Sequence, residues 1–378
     1  IRSANVPIQE GRQADFPNSK ADNVAMKEAE NAYSKVFTSN HIITMNDLAD
    51  LNLTNDDLPE STWEIEAADR KPILEILEKA GLHVDLSVLQ RLPTWTHVTN
   101  LYGDAPIVIG KERCAKFRNT VDASTRFVGV AGQMNTGTNA LSKYLTNNIM
   151  ISENEISNGV LWTVPWYKHG WASLKNRYTY RPPDNHSIVL AVVLVRGTLL
   201  AQLLLLLTLS KKDPYYWFQS MCESPYTLDW NRSKHHCPNL IQNVKDNDTD
   251  ASVAVRIRWH KFIRKWDSMV HLWNDWNNEY FVSDMPRLMI RFEDLLFHTE
   301  YVVNEIRECV GAVNKHDNFQ YTAAPAKTHP YFAKFKPPSS LISAMIKYGQ
   351  DPSGQRRRGT MSADDLKMAG TSLKETLL

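Results

Sequence analysis

FVGVAGQMNTGTNAL runs from Phe127 to Leu141. Its first residues, Phe127, Val128, Val130 and Ala131, make a short apolar run that suits a buried strand. Glycine breaks the run at Gly132 and again at Gly137, after which Thr138, Asn139, Ala140 and Leu141 suit the opening of a helix. This is how a phosphate-cradling loop is built. Glycine lets backbone N–H groups approach phosphate oxygens closely, and the helix N-terminus directs its partial positive charge at the same anion. In an ATPase the second glycine is followed by Lys and then Ser or Thr, for the β/γ-phosphates and Mg²⁺. Thr138 and Asn139 stand in those places. The pattern G-x-x-x-x-G-T-N therefore reads as an anion site without a metal, and it argues against a P-loop kinase, which would depend on Mg²⁺. A plain strand-to-helix turn is the simpler alternative.

Bulk properties set the frame. The 378 residues suit one large α/β domain or two modest ones, and a hydrophobic content of 43% implies a packed core. The formal net charge of +1 gives no global field toward nucleic acid or a membrane, so an anion site must be local. Four cysteines, Cys114, Cys222, Cys237 and Cys309, are too few for a disulfide scaffold, although one or two bridges remain open. Cys222, His235, His236 and Cys237 have zinc-ligand chemistry, but the C-x₁₂-H-H-C spacing is unusual for one tetrahedral ion. No metal is expected.

Residues 1–65 are polar and read as a loose arm or stem. Residues 66–125 read as a helical extension, with KPILEILEKAG from Lys71, then LSVLQRL and KERCAKFRNTV. Residues 126–378 read as an α/β domain, a mostly parallel sheet with helices on both faces. Ile188 to Leu209 is long enough to span a bilayer, yet it contains Arg196, and its first half, IVLAVVLV, reads as a buried strand. Trp259, Phe262, Ile263, Trp266, Met269, Val270, Trp273 and Tyr280 recur at helical spacing, which predicts one long helix over about 252–280 with these residues in the core. RLMIRF after Pro286 predicts a strand, EDLL its helical cap, and YVVNEIRECVG a helix.

The order of motifs resembles the sulfotransferases that use the donor PAPS. TGTN after a strand resembles their 5′-phosphosulfate loop, and by that match Gly132, Thr136, Gly137, Thr138 and Asn139 hold the donor. Asn135 occupies the family's lysine position and carries no charge, so Lys168, and after it Lys143, is the candidate for the cation that meets the leaving oxygen. The family grips the 3′-phosphate with an arginine at a strand end and a serine eight residues later. Here Arg196 and Ser220 are separated by a further sixteen residues, Gly197 to Lys212. Without GTLLAQLLLLLTLSKK the chain reads VVLVR-DPYYWFQS and the spacing is restored. Residues 197–212 therefore read as an insertion with the leucine-rich character of translated non-coding sequence; in a real insertion, Lys212 would stand eight before Ser220.

In VPWYKHGW the resemblance implies His169 as general base, with Lys168 beside it; an imidazole's pKa near neutrality suits that role. RFEDLL resembles a late strand–helix junction of the family, and Arg357, Arg358 and Gly359 its loop over the 3′-phosphate and adenine. The LPTW and LYGDAPIVIG stretches resemble the N-terminal part of a divergent member group. The implied reaction moves a sulfuryl group from PAPS to a hydroxyl, with carbohydrates as the expected acceptors, and releases PAP. A non-catalytic nucleotide- or glycan-binding relative remains the alternative. The resemblance, the sequons at Asn52, Asn185, Asn231 and Asn247, and a start at Ile1 lead to the expectation of a luminal Golgi enzyme with an upstream membrane anchor and a Cys222–Cys237 disulfide; a cytoplasmic enzyme would keep both thiols reduced. In RRRGTMSADDLKMAG, Ser362 is the expected N-cap of a final helix.

Overall fold

The structure is a computed structural model that describes residues 68–195, 214–232, 235–242, 252–259, 262–323, 341–350, 359 and 361–375. The polar arm at 1–65, the insertion at 197–212, and Arg196, Arg357 and Arg358 lie outside the described residues.

Helix α1 (Lys71–Lys79) carries Pro72 in its first turn, where the missing N–H removes no helical bond, and buries Ile73 and Leu77 one turn apart. Side chains cap α2 (Leu86–Leu89) and α3 (Trp95–Tyr102): Asp85 accepts from the Val88 N–H and Thr94 from the His97 N–H. After β1 (Val108–Ile109) and α4 (Cys114–Thr120) come β2 (Phe127–Gly132), α5 (Thr138–Asn148), β3 (Ile149–Met150), β4 (Val160–Leu161) and β5 (Val189–Val195). The chain continues through α6 (Tyr215–Glu223), β6 (Leu228–Trp230), β7 (Val255–Trp259), β8 (Phe262–Trp266), α7 (Met269–Val282) and β9 (Arg287–Arg291). It ends with α8 (Phe292–Phe297), α9 (Thr299–Val310), β10 (Val313–Asn314), α10 (Leu341–Gly349) and α11 (Ala363–Glu375).

The central sheet has the order β1-β9-β5-β2-β4, parallel except for β1, which runs antiparallel along the β9 edge. The protein is thus α/β with a mixed, mostly parallel sheet. All seven residues of β5 are buried, so that strand is covered on both faces. This explains why IVLAVVLV is continuously apolar instead of alternating. On one face, Ala191, Val193 and Val195 of β5, Ala131 of β2 and Met289 of β9 share a core with Trp217, Phe218 and Met221 of α6 and Trp273, Trp276 and Tyr280 of α7. Among the described residues no helix is long and apolar enough to cross a membrane.

The long helix expected over 252–280 is not formed. Residues 255–266 are the antiparallel strands β7 and β8, which join β6 in a second sheet, and only 269–282 is helical. Two periods compete in this stretch. Trp259, Phe262, Ile263 and Trp266 mimic helical spacing, but Val255-Arg256-Ile257-Arg258 alternates with a period of two, and burial follows that alternation. Ile263, which a helical stripe would bury, is 69% exposed. The true helix start is signalled by Ser268, whose hydroxyl accepts from the His271 N–H.

Two disulfides are present. Cys222–Cys237 joins α6 to the segment between β6 and β7 of the second sheet, as expected, and uses the two sulfurs that a zinc site would have needed. Cys114–Cys309, which the sequence did not single out, joins α4 to α9. Ser362 caps α11 as expected: its Oγ accepts from the Asp365 N–H at 3.0 Å, and the Asp365 carboxylate accepts from the Ser362 N–H at 3.0 Å. The buried Asp365 also accepts from the Leu240 N–H at 2.6 Å and pairs with His236 at 3.0 Å.

Candidate functional site

Chain order and spatial order disagree at one place in the sheet. From β2 the chain passes to β4 on one side and then to β5 on the other, so the crevice at the C-terminal ends of β2 and β5 is a topological switch point, where open α/β sheets place ligands. Gly132 ends β2 there and is level with Leu194 of β5.

The loop from Gln133 to Gly137 is shaped by two left-handed residues, Asn135 (φ +63°) and Gly137 (φ +85°). Asparagine tolerates that conformation better than most side chains, and left-handed residues of this kind form the backbone nests that bind anions. A Cβ on Gly132 would lie 2.6 Å from Thr138 Cγ2 and 2.8 Å from the Leu194 carbonyl oxygen, and one on Gly137 would lie 2.5 Å from the Phe292 ring. Neither position has room for a side chain. The first N–H groups of α5 have no acceptor within the helix, as at any helix start. Thr136 and Thr138 are buried, and the Thr136 hydroxyl donates to the Gln133 carbonyl at 2.7 Å. Gln133 is 5% exposed, and neither polar atom of its amide has a hydrogen-bond partner among the described residues.

Asn135 faces α6. Its Nδ2 donates to the Ser220 carbonyl at 2.9 Å and the Ser224 carbonyl at 2.8 Å, at the C-terminal end of that helix. Trp217 Nε1 donates to the Met134 carbonyl at 2.8 Å. Asn135 and Ser220, placed in one donor site by the resemblance, are adjacent, but the asparagine amide fastens the loop to a helix. Gly359 is packed against Gln219, the neighbour of Ser220: a Cβ there would lie 2.5 Å from the Gln219 amide.

The Lys168–His169 segment closes on the same loop from the other side. The Gly132 N–H donates to the Lys168 carbonyl at 2.9 Å, and His169 Nδ1 lies 2.7 Å from the Gly132 carbonyl. A carbonyl can only accept, so the proton is on Nδ1 and the Nε2 lone pair is the basic one. Burial lowers the His169 pKa to about 4, opposed by the Gly132 bond and assisted by the Lys168 charge, so the imidazole is neutral at pH 7. Lys168 Nζ donates to Asn139 Oδ1 at 3.0 Å and lies 4.5 Å from the Trp162 ring centre. Burial, with Arg181 nearby, lowers its pKa to about 7. Lys168 thus stands at the N-terminus of α5, where an anion held by the loop would restore its charge.

Several supports of this segment had no signal in the sequence. Tyr280 of α7 accepts from Trp166 Nε1 at 3.0 Å and donates to the Gly170 carbonyl at 2.9 Å, while Trp276 donates to the His169 carbonyl at 3.2 Å. Tyr167, immediately before Lys168, is held at φ +87°, a strained value for a bulky residue, with its ring stacked on Tyr178 and Tyr180. The aromatic stripe of α7 packs the core and also positions the Lys168–His169 pair.

At the RFEDLL junction, the Arg291 guanidinium is buried and held by both oxygens of Asp294, whose Oδ2 also accepts from the Ile107 N–H at 3.0 Å. These groups tie the N-terminal extension to the strand end. Among the described residues no group of three or more His, Cys, Asp or Glu could hold a metal ion. No protein-family model matches the chain, and neither a curated protein nor a solved structure matches it.

Proposed function

We propose that this protein is a P-loop-type sulfotransferase that moves a sulfuryl group from PAPS to a hydroxyl, with a carbohydrate as the acceptor class. The observation that carries this reading is the two-sided grip on Gly132. A loop that suits a phosphate and a segment that carries a neutral imidazole beside an amine, thirty-six residues apart by sequence from Gly132 to Lys168, meet on one backbone residue. PAPS would supply the sulfuryl group and leave as PAP. Gly132 and Gly137, which have no room for a Cβ, keep the loop close against Thr138, Leu194 and Phe292, and the first N–H groups of α5, without acceptors inside the helix, are the donors this reading gives to the phosphate.

In this reading His169 Nε2 takes the acceptor's proton as the hydroxyl oxygen bonds to sulfur. Lys168, charged once the anion is bound, meets the negative charge left on the departing phosphate oxygen. Asn139 holds the Lys168 ammonium in place. Asn135, engaged with α6, keeps the loop in shape and leaves the cationic role to Lys168. That engagement is also the observation behind the second reading, a non-catalytic binder of the same nucleotide: PAP binding without any release of PAP from PAPS would select it.

Thr138→Ala tests the donor loop. The substitution removes a hydroxyl that this reading gives to the phosphate and should weaken PAP about ten- to a hundredfold in calorimetric titration, the range for a hydrogen bond to a charged group. Unchanged affinity in folded protein would discard the loop as a phosphate site.

The Lys168 pKa sets a pH dependence. An anion favours the protonated amine, so PAP affinity should be flat below the free-protein value of about 7 and fall as pH rises above it, until the pKa of the complex is passed. Lys168→Met should bind PAP more weakly below that value and show no such slope. An identical slope in the variant would assign the effect to another group.

A further inference from the structure

The hairpin that replaces the expected helix carries an outer face that sheet stability does not account for. In β7, Val255 and Ile257 are buried while Arg256 and Arg258 are exposed, and in β8 Ile263 and Lys265 are exposed. The register places Arg256 directly opposite Lys265, Arg258 opposite Ile263, and Asp229 of β6 opposite Arg256. One face therefore presents three cations and a single carboxylate around an exposed isoleucine. Like charges directly opposite each other destabilise a sheet. Asp229 offsets Arg256, 2.8 Å away, but among the described residues neither Arg258 nor Lys265 has an ion-pair partner.

Arg264 shows what a structural cation looks like on the same hairpin. It lies over Trp171 and Trp266 and bonds to Glu279 at 3.2 Å. Trp171, two residues after His169, stacks on Trp266 with ring centres 5.3 Å apart. The hairpin is thus fastened to the segment that carries the candidate base, with its remaining cations turned to solvent.

We propose that this outer face binds an anionic polysaccharide, a chain bearing carboxylate or sulfate groups. Same-face residues on a strand lie about 7 Å apart and neighbouring strands about 5 Å apart, so the cations form a short two-row track suited to a polymer with regularly spaced charges. A membrane surface is disfavoured because Ile263 is one apolar side chain and not an apolar face. The two disulfides suit an oxidising compartment, where polysaccharides are the abundant polyanions.

The test uses the full chain and does not depend on the sulfotransferase reading, which PAP calorimetry follows separately. Dextran sulfate and neutral dextran of equal length are titrated into the parent, into Arg258→Glu/Lys265→Glu, and into Lys116→Glu/Lys367→Glu, a pair of exposed cations elsewhere with the same change in net charge. The parent should bind dextran sulfate alone, with affinity falling as salt rises. The hairpin pair should lose about tenfold or more and the control pair much less, with PAP affinity unchanged in both. Equal loss in the two pairs would reduce the effect to net charge and overturn the proposal. So would tighter binding of duplex DNA, or of phosphatidylserine vesicles, than of dextran sulfate at the same ionic strength.

Discussion

Replacing Cys114 and Cys309 together with alanine should lower the unfolding free energy by about 5 kcal/mol. The bridge joins residues 195 apart, so in the chain-entropy description it restrains the unfolded chain far more than the Cys222–Cys237 bridge, whose partners are 15 apart and whose removal should lose about 3 kcal/mol. Urea unfolding of the two double variants gives the comparison; equal losses, or a larger loss for the short loop, would refute the ordering. The two bridges should also differ in function. Cys222 lies in α6, the helix that holds Met134 and Asn135 of the loop, so its bridge should influence PAP affinity. Cys114–Cys309 holds α4 against α9 and should leave PAP affinity unchanged in protein that remains folded.

The second large effect is on turnover. His169→Ala should lower the release of PAP from PAPS in the presence of hydroxyl acceptors by roughly 10²–10⁴-fold, the usual contribution of a positioned general base. Alanine also removes the bond to the Gly132 carbonyl, so disturbance of the loop is a second source of loss; His169→Asn separates the two causes. An asparagine amide can donate to that carbonyl but cannot take the acceptor's proton. It should keep near-parental PAP affinity and remain as slow as alanine. Recovery of turnover in the asparagine variant would leave His169 a positioning residue and move the base elsewhere. The pH profile adds a further readout, since the acid limb of kcat/KM, which reports the free enzyme, should lie near 4 and not near the ordinary 6.5 of an imidazole. 

Local signals were legible wherever one short segment carries its own physics. The apolar run to Gly132 and the glycine at 137 specify strand, turn and helix because their backbone demands are local. Seven consecutive apolar residues at 189–195 specify a strand covered on both faces, which removed the bilayer reading for that half of the stretch. Ser362 with Asp365 specifies a helix start from four residues. Where two periodicities overlapped, at 255–266, the sequence was ambiguous. The tertiary structure decided for a hairpin because a strand pairing with β6 buries Val255 and Ile257 while keeping the arginines wet.

The sequence by itself determined the α/β class, the glycine loop at the end of a strand, and Lys168 and His169 as the groups worth testing. Only the tertiary structure decided that Gly132 is held by Lys168 and His169 on its two backbone groups, that Asn135 is turned to the carbonyls of α6, and that Cys114 pairs with Cys309. The physical reason is range. Backbone conformation and capping depend on neighbours within a few residues, whereas burial, hydrogen-bond partners and the pKa of Lys168 depend on which distant segments the parallel sheet brings to the ends of β2 and β5.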